Sequence, residues 1–435
     1  MNPSIVKNFI YFPIQAIRGE KVKPYLNELE VSEKCTKEKF LRYQQEKLKQ
    51  LINYVYNYIP YYKKKFQKLK ISLSDIKNFK DLAQIPPLVK DDIRNNLKYL
   101  INPTLKHSWR STSGTTGSPL IFPKDRIATA YMDAMMYEAY SWHGIDIGDK
   151  QARFWGSAVK PKDKIMQWIK DFLLNRKRLS AFNMSDKECL KFYRKLLRFK
   201  PKYFYGYVNA IYQFALALER KKIDATELKL QVIICTGEVL FDYQRKKIQE
   251  VFGCKVVNEY GTTENGIIGF ECEYGNMHIM PTVYVEIINP DKNGFGEILI
   301  TELNSRSIPF IRYKTGDKAR LLNAECPCGR PCPLIEIHEG RIDDYIRCPD
   351  GKLVYDAILA YTLKDYVWQF KAYQEKIDYL KVEVIPKNNF SSELQYKLKT
   401  KLKKYLGSDM NINFIQVSYI SPEPSGKLKY FVSKL

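Results

Sequence analysis

Residues 111–117 read Ser-Thr-Ser-Gly-Thr-Thr-Gly and are followed by Ser-Pro-Leu. Gly114 and Gly117 free the backbone to take conformations that a Cβ forbids, so several N–H groups can converge on one anion. The hydroxyls of Ser111, Thr112, Ser113, Thr115 and Thr116 add donors. A polyphosphate is the guest such a loop suits. It is not a Walker A loop, which needs Gly-Lys-Ser/Thr, because Gly117 is followed by Ser118 and Pro119. The same composition also describes a polar surface linker, so the loop has to be weighed with its companions.

Residues 255–264, Lys-Val-Val-Asn-Glu-Tyr-Gly-Thr-Thr-Glu, run an apolar strand into an aromatic, a glycine, two hydroxyls and a carboxylate. Tyr260 offers a ring for a base to stack on. Thr262 and Thr263 offer phosphate donors, and Glu264 suits Mg2+, which takes one or two carboxylates plus phosphate oxygens. The plain alternative is a tight turn with an exposed Glu. Asp317 follows Gly316 and suits both hydroxyls of a ribose, which one carboxylate accepts together. Cys272, His278, Cys326 and Cys328 carry donors that suit tetrahedral Zn2+, with Cys332 as a substitute. Their spacing is irregular, and free surface thiols are the competing reading.

These residues need a scaffold. Arg153–Ser157, Tyr203–Tyr207 and 230–238 each read as a short apolar strand running into glycine and polar residues. Helix-like stretches at 160–175, 186–198, 209–221 and 241–252 lie between them, the alternation of an α/β sheet. Ligands of such sheets gather beyond the carboxyl ends of the strands. That puts Trp155, Tyr205, Gly206 and Tyr207, as well as Gly237 and Glu238, toward one site, although core packing explains the aromatics equally well. Residues 1–70 are helical in character, with an apolar stripe of Leu48, Leu51, Ile52, Val55 and Ile59. The tyrosines before Lys63–Lys65 fit a helix packed on a larger domain with its lysines snorkelling outward, better than a nucleic-acid surface. Residues 86–100 read as an extended entry and a helix, and 126–142 as a helix. Residues 345–435 read as a small α+β unit, with strands at 376–386 and 412–419 around a basic helix at 391–406.

Composition bounds the class. At 435 residues, two domains or more are expected. A chain that is 45% hydrophobic and 27% charged is an ordinary globular one, not an extensively disordered one. Lys plus Arg outnumber the acids 71 to 48, a formal charge of +23 spread along the chain, which favours anionic partners. No apolar run approaches the ~20 residues of a membrane span. The nine cysteines, odd in number and clustered at 326–332, read as reduced thiols with a metal, and so as cytoplasmic. The basic, apolar N-terminus could rest on an anionic membrane, giving peripheral contact at its inner face.

The pair Ser-Thr-Ser-Gly-Thr-Thr-Gly-Ser-Pro and Asn-Glu-Tyr-Gly-Thr-Thr-Glu resembles the adenylate-forming superfamily of acyl-CoA synthetases and adenylation domains. Within it the chain is most similar to the phenylacetate–CoA ligase family, particularly its capsular polysaccharide branch. The likeness runs from about residue 40 to the C-terminus. It includes Asn57–Tyr62, the Pro87–Arg94 entry, Tyr313-Lys-Thr-Gly-Asp317, Gly340-Arg-Ile-Asp-Asp344 and the terminal Gly426-Lys427. The resemblance implies a nucleotide held by Ser113, Gly114, Thr115, Thr116, Gly117, Gly237, Glu238, Glu259, Tyr260, Gly261, Thr262, Thr263, Asp317 and Arg341. It implies catalytic roles for Lys427, Thr116 and Glu264, an acyl pocket at Trp155, Tyr205, Gly206 and Tyr207, and a hinge at Asp343. The large domain would span 1–342 and the mobile one 343–435. One departure is plain: the superfamily's loop commonly ends Pro-Lys-Gly, whereas this chain has Pro119-Leu120-Ile121. The missing lysine shifts duty to Lys427 and backbone donors.

The activity implied is ATP-dependent conversion of a carboxylic acid to an acyl-adenylate, then acyl transfer to coenzyme A. An amine acceptor such as an amino sugar is the first alternative. A non-catalytic basic nucleotide- or polyanion-binding protein is the second. Nucleic acid is not an expected partner, and neither the acid nor the oligomeric state is legible.

Overall fold

The computed structural model describes residues 1–112, 120–155, 164–181, 184–341, 345–351, 353–421 and 429–435. The expected phosphate-loop residues 113–119, Asp343 and Lys427 lie outside these, and so does the boundary at 342–343. The first strands, β1 (His107–Ser111) and β2 (Ile121–Asp125), pair antiparallel on either side of that loop. Next come β3 (Gln151–Trp155), β4 (Arg176–Ser180), β5 (Tyr203–Tyr207), β6 (Val232–Thr236) and β7 (Lys255–Thr262), which run parallel. Then β8 (Gly266–Glu271), β9 (Met277–Ile279), β10 (Val283–Ile288), β11 (Gly296–Glu302), β12 (Tyr313–Leu322) and β13 (Leu334–Arg341) continue antiparallel. Together β3–β13 form one mixed sheet in the order β10-β11-β12-β13-β9-β8-β7-β6-β5-β3-β4.

Alternation along the parallel strands divides their side chains between two layers. Ala152, Phe154, Phe204, Ile233 and Cys235 face the helices Asp186–Phe199, Val208–Arg220 and Asp242–Phe252 in one apolar cluster. Tyr203, Tyr205, Val232, Ile234 and Val257 face the helix Arg126–Ser141 in another. The chain approaches itself closely here: a Cβ on Gly206 would stand 2.3 Å from the Phe154 carbonyl, so only glycine lets β5 lie against β3.

The expected helices fall where their periodicity put them; of 160–175 the described residues begin at 164, and an unexpected edge strand follows. The described helix is Lys164–Leu173, and residues 176–180 form the edge strand β4. Its sequence Arg-Lys-Arg-Leu-Ser carries no apolar alternation to announce a strand. Charge on an edge strand is instead how proteins block further pairing. In the N-terminal region the stripe is buried in the helix Lys37–Tyr58, which ends at the extended Ile59 before Pro60 starts the helix Pro60–Leu69. Tyr62 is buried and donates to the Pro309 carbonyl at 2.9 Å, while Lys65 lies over the Tyr61 ring.

Residues beyond 344 build a separate sheet. A hairpin of β14 (Tyr345–Arg347) and β15 (Leu353–Tyr355) precedes β16 (Val367–Lys376), β17 (Tyr379–Pro386), β18 (Asn411–Gln416) and β19 (Phe431–Ser433). The last four are ordered β18-β17-β16-β19 over the helices Ala357–Leu363 and Ser392–Leu406. Leu380, Val382, Val384, Leu398, Leu402 and Phe414 fill its core, which Phe241 of the larger unit enters. This is the mixed α/β architecture with a small C-terminal sheet that the sequence led us to expect.

Candidate active site

The parallel strands β5, β6 and β7 deliver their carboxyl ends to one edge of the sheet, where the polar residues of the motifs collect. The strand of the second motif extends further than a turn. Tyr260, Gly261 and Thr262 remain in β7 and pair with β8, and a Cβ on Gly261 would stand 2.5 Å from the Gly266 carbonyl. This pairing alternates the side chains: Glu259 is buried, while Tyr260 is half-buried on the other face. The Tyr260 hydroxyl donates to Asp317 Oδ2 at 2.8 Å, and the Asp317 N–H donates to Thr315 Oγ1 at 3.1 Å. Arg341 lies directly opposite Asp317 in the β12–β13 register. Two residues expected to share the nucleotide thus touch, and a third is the strand partner of one of them.

The neck of the phosphate loop is closed on both sides. Thr112 N–H donates to the Leu120 carbonyl at 3.0 Å, and Leu120 N–H donates to Thr112 Oγ1 at 2.9 Å. Thr262 Oγ1 accepts from Asn265 N–H at 3.2 Å, and Thr263 is exposed. Glu264 is buried, and its Oε1 accepts from the Tyr313 hydroxyl at 2.7 Å. Gly237 is exposed just past β6, and the half-buried Glu238 accepts from Asn209 N–H at 2.7 Å, capping the helix Val208–Arg220.

Sequence reasoning missed what lies beneath Glu264. Lys124 is fully buried and donates to the Glu264 carbonyl at 2.6 Å and to both Glu302 oxygens at 2.6 and 2.5 Å. Burial lowers the Lys124 pKa and raises that of Glu302, each countered by the other's charge. Nothing in the local sequence marks these two as partners, since 178 positions separate them.

The four residues expected to line an acyl pocket come together. Trp155 stacks on Tyr207 with centroids 4.3 Å apart and on Tyr205 at 5.7 Å, and Gly206 lies between the two tyrosines. Tyr205 and Tyr140 donate to the two oxygens of Glu259 at 3.0 and 2.9 Å. Burial pushes Glu259 above the ordinary carboxylate range, against these hydrogen bonds. Glu259, expected at the nucleotide, is therefore held by Tyr205 of this aromatic stack and by Tyr140.

The cysteine–histidine set also assembles, at the ends of β8 and β9 and in the loop between β12 and β13. One ligand atom from each of Cys272, His278, Cys326 and Cys328 lies within 4.8 Å of every other. Cys272 Sγ is 3.6 Å from Cys326 Sγ, and Cys328 Sγ is 3.2 Å from His278 Nε2. A tetrahedron with Zn–S bonds of ~2.3 Å has edges of about 3.8 Å, so the donors fit the ion. His278 Nδ1 lies 3.0 Å from the Cys332 carbonyl, which turns Nε2 toward the thiols. Cys332, weighed as a substitute ligand, contributes that carbonyl, and burial pushes its thiol pKa well up.

The fold is that of solved CoA ligases. The chain superposes on 2-hydroxyisobutyryl-CoA ligase in the postadenylation state, in complex with R3-HIB-AMP, with a TM-score of 0.74 at 19% identity, covering 93% of this chain and 91% of that one. In sequence it is 25% identical over 430 residues to Protein CapK of Staphylococcus aureus, covering 95% of this chain and 93% of the relative. It is 25% identical over 349 residues to the phenylacetate-coenzyme A ligase of Thermus thermophilus, covering 72% and 73%. Residues 347–434 match the model of the CapK C-terminal domain. The chain is thus similar in sequence to CapK and to the phenylacetate–CoA ligases, and similar in fold to 2-hydroxyisobutyryl-CoA ligase.

Proposed function

We propose that the protein activates a carboxylic acid with ATP and passes the acyl group to coenzyme A. The observation that carries this reading is the Tyr260–Asp317 hydrogen bond, with Arg341 opposite Asp317 in the β12–β13 register. In the first step a carboxylate oxygen attacks the α-phosphorus and pyrophosphate leaves. Ser113–Gly117 would cradle the phosphates, Tyr260 would stack on the base, and Asp317 would hold the ribose. Mg2+, held by Glu264, would offset the phosphate charge. Trp155, Tyr205 and Tyr207 would line the acyl pocket. The domain following Asp343 would then rotate for the transfer step. The resemblance to the capsule branch, together with the match to CapK, supports an amine acceptor in polysaccharide biosynthesis as the second reading.

ATP–pyrophosphate exchange over a panel of carboxylic acids tests the first step. Exchange dependent on one acid names the substrate, and adding coenzyme A or amines to that reaction names the acceptor. Normal ATP binding without exchange for any acid would leave a nucleotide-binding protein and overturn the reading.

Zn2+ in the Cys272–His278–Cys326–Cys328 set would tie the β8–β9 turn to the loop before β13. Elemental analysis of the purified protein should find about one zinc per chain. At ligand concentrations 100–1,000 times Kd, binding stabilises by about 3–4 kcal/mol, so a strong chelator should lower Tm. Cys326→Ser should have the lower Tm from the start and respond less to chelator. Unchanged melting in both would argue for free thiols.

Peripheral membrane contact is supported by a patch at the N-terminus. Among the described residues, no helix is long and apolar enough to cross a membrane. Phe9 is 76% exposed and Ile17 85%, while Ile165 at 72% and Trp168 at 64% stand out from the helix Lys164–Leu173. Met1 joins these two segments: its amino group donates to Asn175 Oδ1 and its carbonyl accepts from Asn175 Nδ2, both at 2.9 Å. Apolar side chains on a basic protein suit an anionic bilayer. Flotation with vesicles containing anionic lipid should carry the protein, neutral vesicles should carry less, and Phe9→Ser with Trp168→Ser should release it. Equal flotation of this double variant would remove the patch from consideration.

A further inference from the structure

The sheet face that bears the aromatic wall also bears arginines. Alternation puts Arg153 on the same face as Trp155, with Tyr205 opposite it on β5 and Arg178 opposite it on β4. The Arg153 guanidinium lies 4.8 Å from the ring centroids of both Trp155 and Tyr205. One carboxylate, Asp171, serves the neighbouring arginines, at 3.2 Å from Arg178 and 3.8 Å from Arg176. Glu259 is hydrogen-bonded by Tyr205 and Tyr140, and the charge of Arg153 acts on it through space without a direct ion pair. Arg153 has no ion pair among the described residues, and its Nε is buried without a hydrogen-bond partner, as is the Nε of Arg176. The guanidinium is half-buried, and its planar fork matches a carboxylate or a phosphate. Two positions separate Arg153 from Trp155, which sets it about 7 Å further from the strand ends.

We propose that Arg153 is the specificity-determining residue of the acyl pocket. The acid activated here carries a second anionic group, remote from the carboxyl that reacts and paired with the Arg153 guanidinium. The inference rests on the adenylation reading and deepens it to a substrate class: acids with a second charged end, carried on an aliphatic or aryl spacer. The rings of Trp155 and Tyr205 flank the guanidinium and hold its plane, so that the incoming anion meets a preset fork.

The test compares matched acids in ATP–pyrophosphate exchange: adipate against hexanoate, and 4-carboxyphenylacetate against phenylacetate. The native protein should favour the diacid in at least one pair by about tenfold or more in kcat/KM, because a built charge partner is left unpaired by the other acid. In Arg153→Met that ratio should fall at least about tenfold, with Arg153→Lys between the two. A native preference for both monoacids, or a ratio unchanged in Arg153→Met, would overturn the inference. Failure of exchange with every acid would count against adenylation itself. The same four acids are then read by thermal shift with ATP present. A diacid that raises the Tm of the native protein and not of Arg153→Met keeps the role of Arg153. Equal shifts in the two proteins, or none with any diacid, overturn it.

Discussion

Lys124→Met should cost the protein about 3–5 kcal/mol of stability, because it strands the Glu302 carboxylate in the core. The ammonium of Lys124 satisfies both oxygens of Glu302, which among the described residues otherwise receives only the long contact of 3.3 Å from Asn265 Nδ2. Both members are buried and lie under Phe310, which the ammonium approaches to 5.4 Å. Removing both charges should be milder than removing one, so Lys124→Met combined with Glu302→Leu should recover most of the loss. The deficit of the single variant should depend on pH. Burial already raises the folded pKa of Glu302 with Lys124 present, and without the lysine nothing comparable holds the charged form. A carboxyl with a raised folded pKa binds more protons folded than unfolded, so stability falls as pH rises from the ordinary carboxylate range through the raised value. The deficit should therefore be smallest in acid and largest at neutral pH, measured by urea unfolding at a series of pH values. A loss below about 1 kcal/mol at pH 7 would show that the pair is not the isolated buried couple described. Lys124 also holds the Glu264 carbonyl, so the variant is expected to weaken nucleotide-dependent exchange as well.

Lys427→Ala should lower acid-dependent ATP–pyrophosphate exchange by roughly 10²–10³-fold, the effect of removing one cation aimed at developing charge. ATP binding should change little, since the lysine would act as the carboxylate attacks rather than in the ground state. Lys427 itself lies outside the described residues, but its neighbour in the chain is informative. Tyr430 packs on Phe241 and Phe370, accepts from Gln244 Nε2 at 3.1 Å, and donates to Asn209 Oδ1 at 3.4 Å. The backbone N–H of that same Asn209 is bound by Glu238 at the end of β6. Tyr430, three positions along the chain from Lys427, thus ties the C-terminal unit to the residues at the end of β6. Exchange retained within threefold in Lys427→Ala would remove it from the chemistry.

The chemistry-bearing segments were legible because each is local. A run of Ser, Thr and Gly, a strand entering Tyr-Gly-Thr-Thr-Glu, and thiols two positions apart state their possibilities in a few residues. The alternation of short apolar strands with helical periodicity likewise fixed an α/β sheet, because periods of 2 and 3.6 are properties of the local backbone. Strand β4 was not legible, since an edge strand of Arg-Lys-Arg-Leu-Ser buries too little to show a pattern. Tertiary structure alone decided which groups meet. It brought Tyr260 to Asp317 across 57 positions, Cys272 to Cys326 across 54, and Lys124 to Glu302 across 178. It also turned Glu259 toward Tyr140 and Tyr205, because continuing β7 through Thr262 puts neighbouring side chains on opposite faces. Local sequence sets what a residue is able to do, by its donors, its charge and the backbone it favours. Which partner it does it with depends on long-range packing, whose free energy is shared among many distant side chains and written in no single stretch.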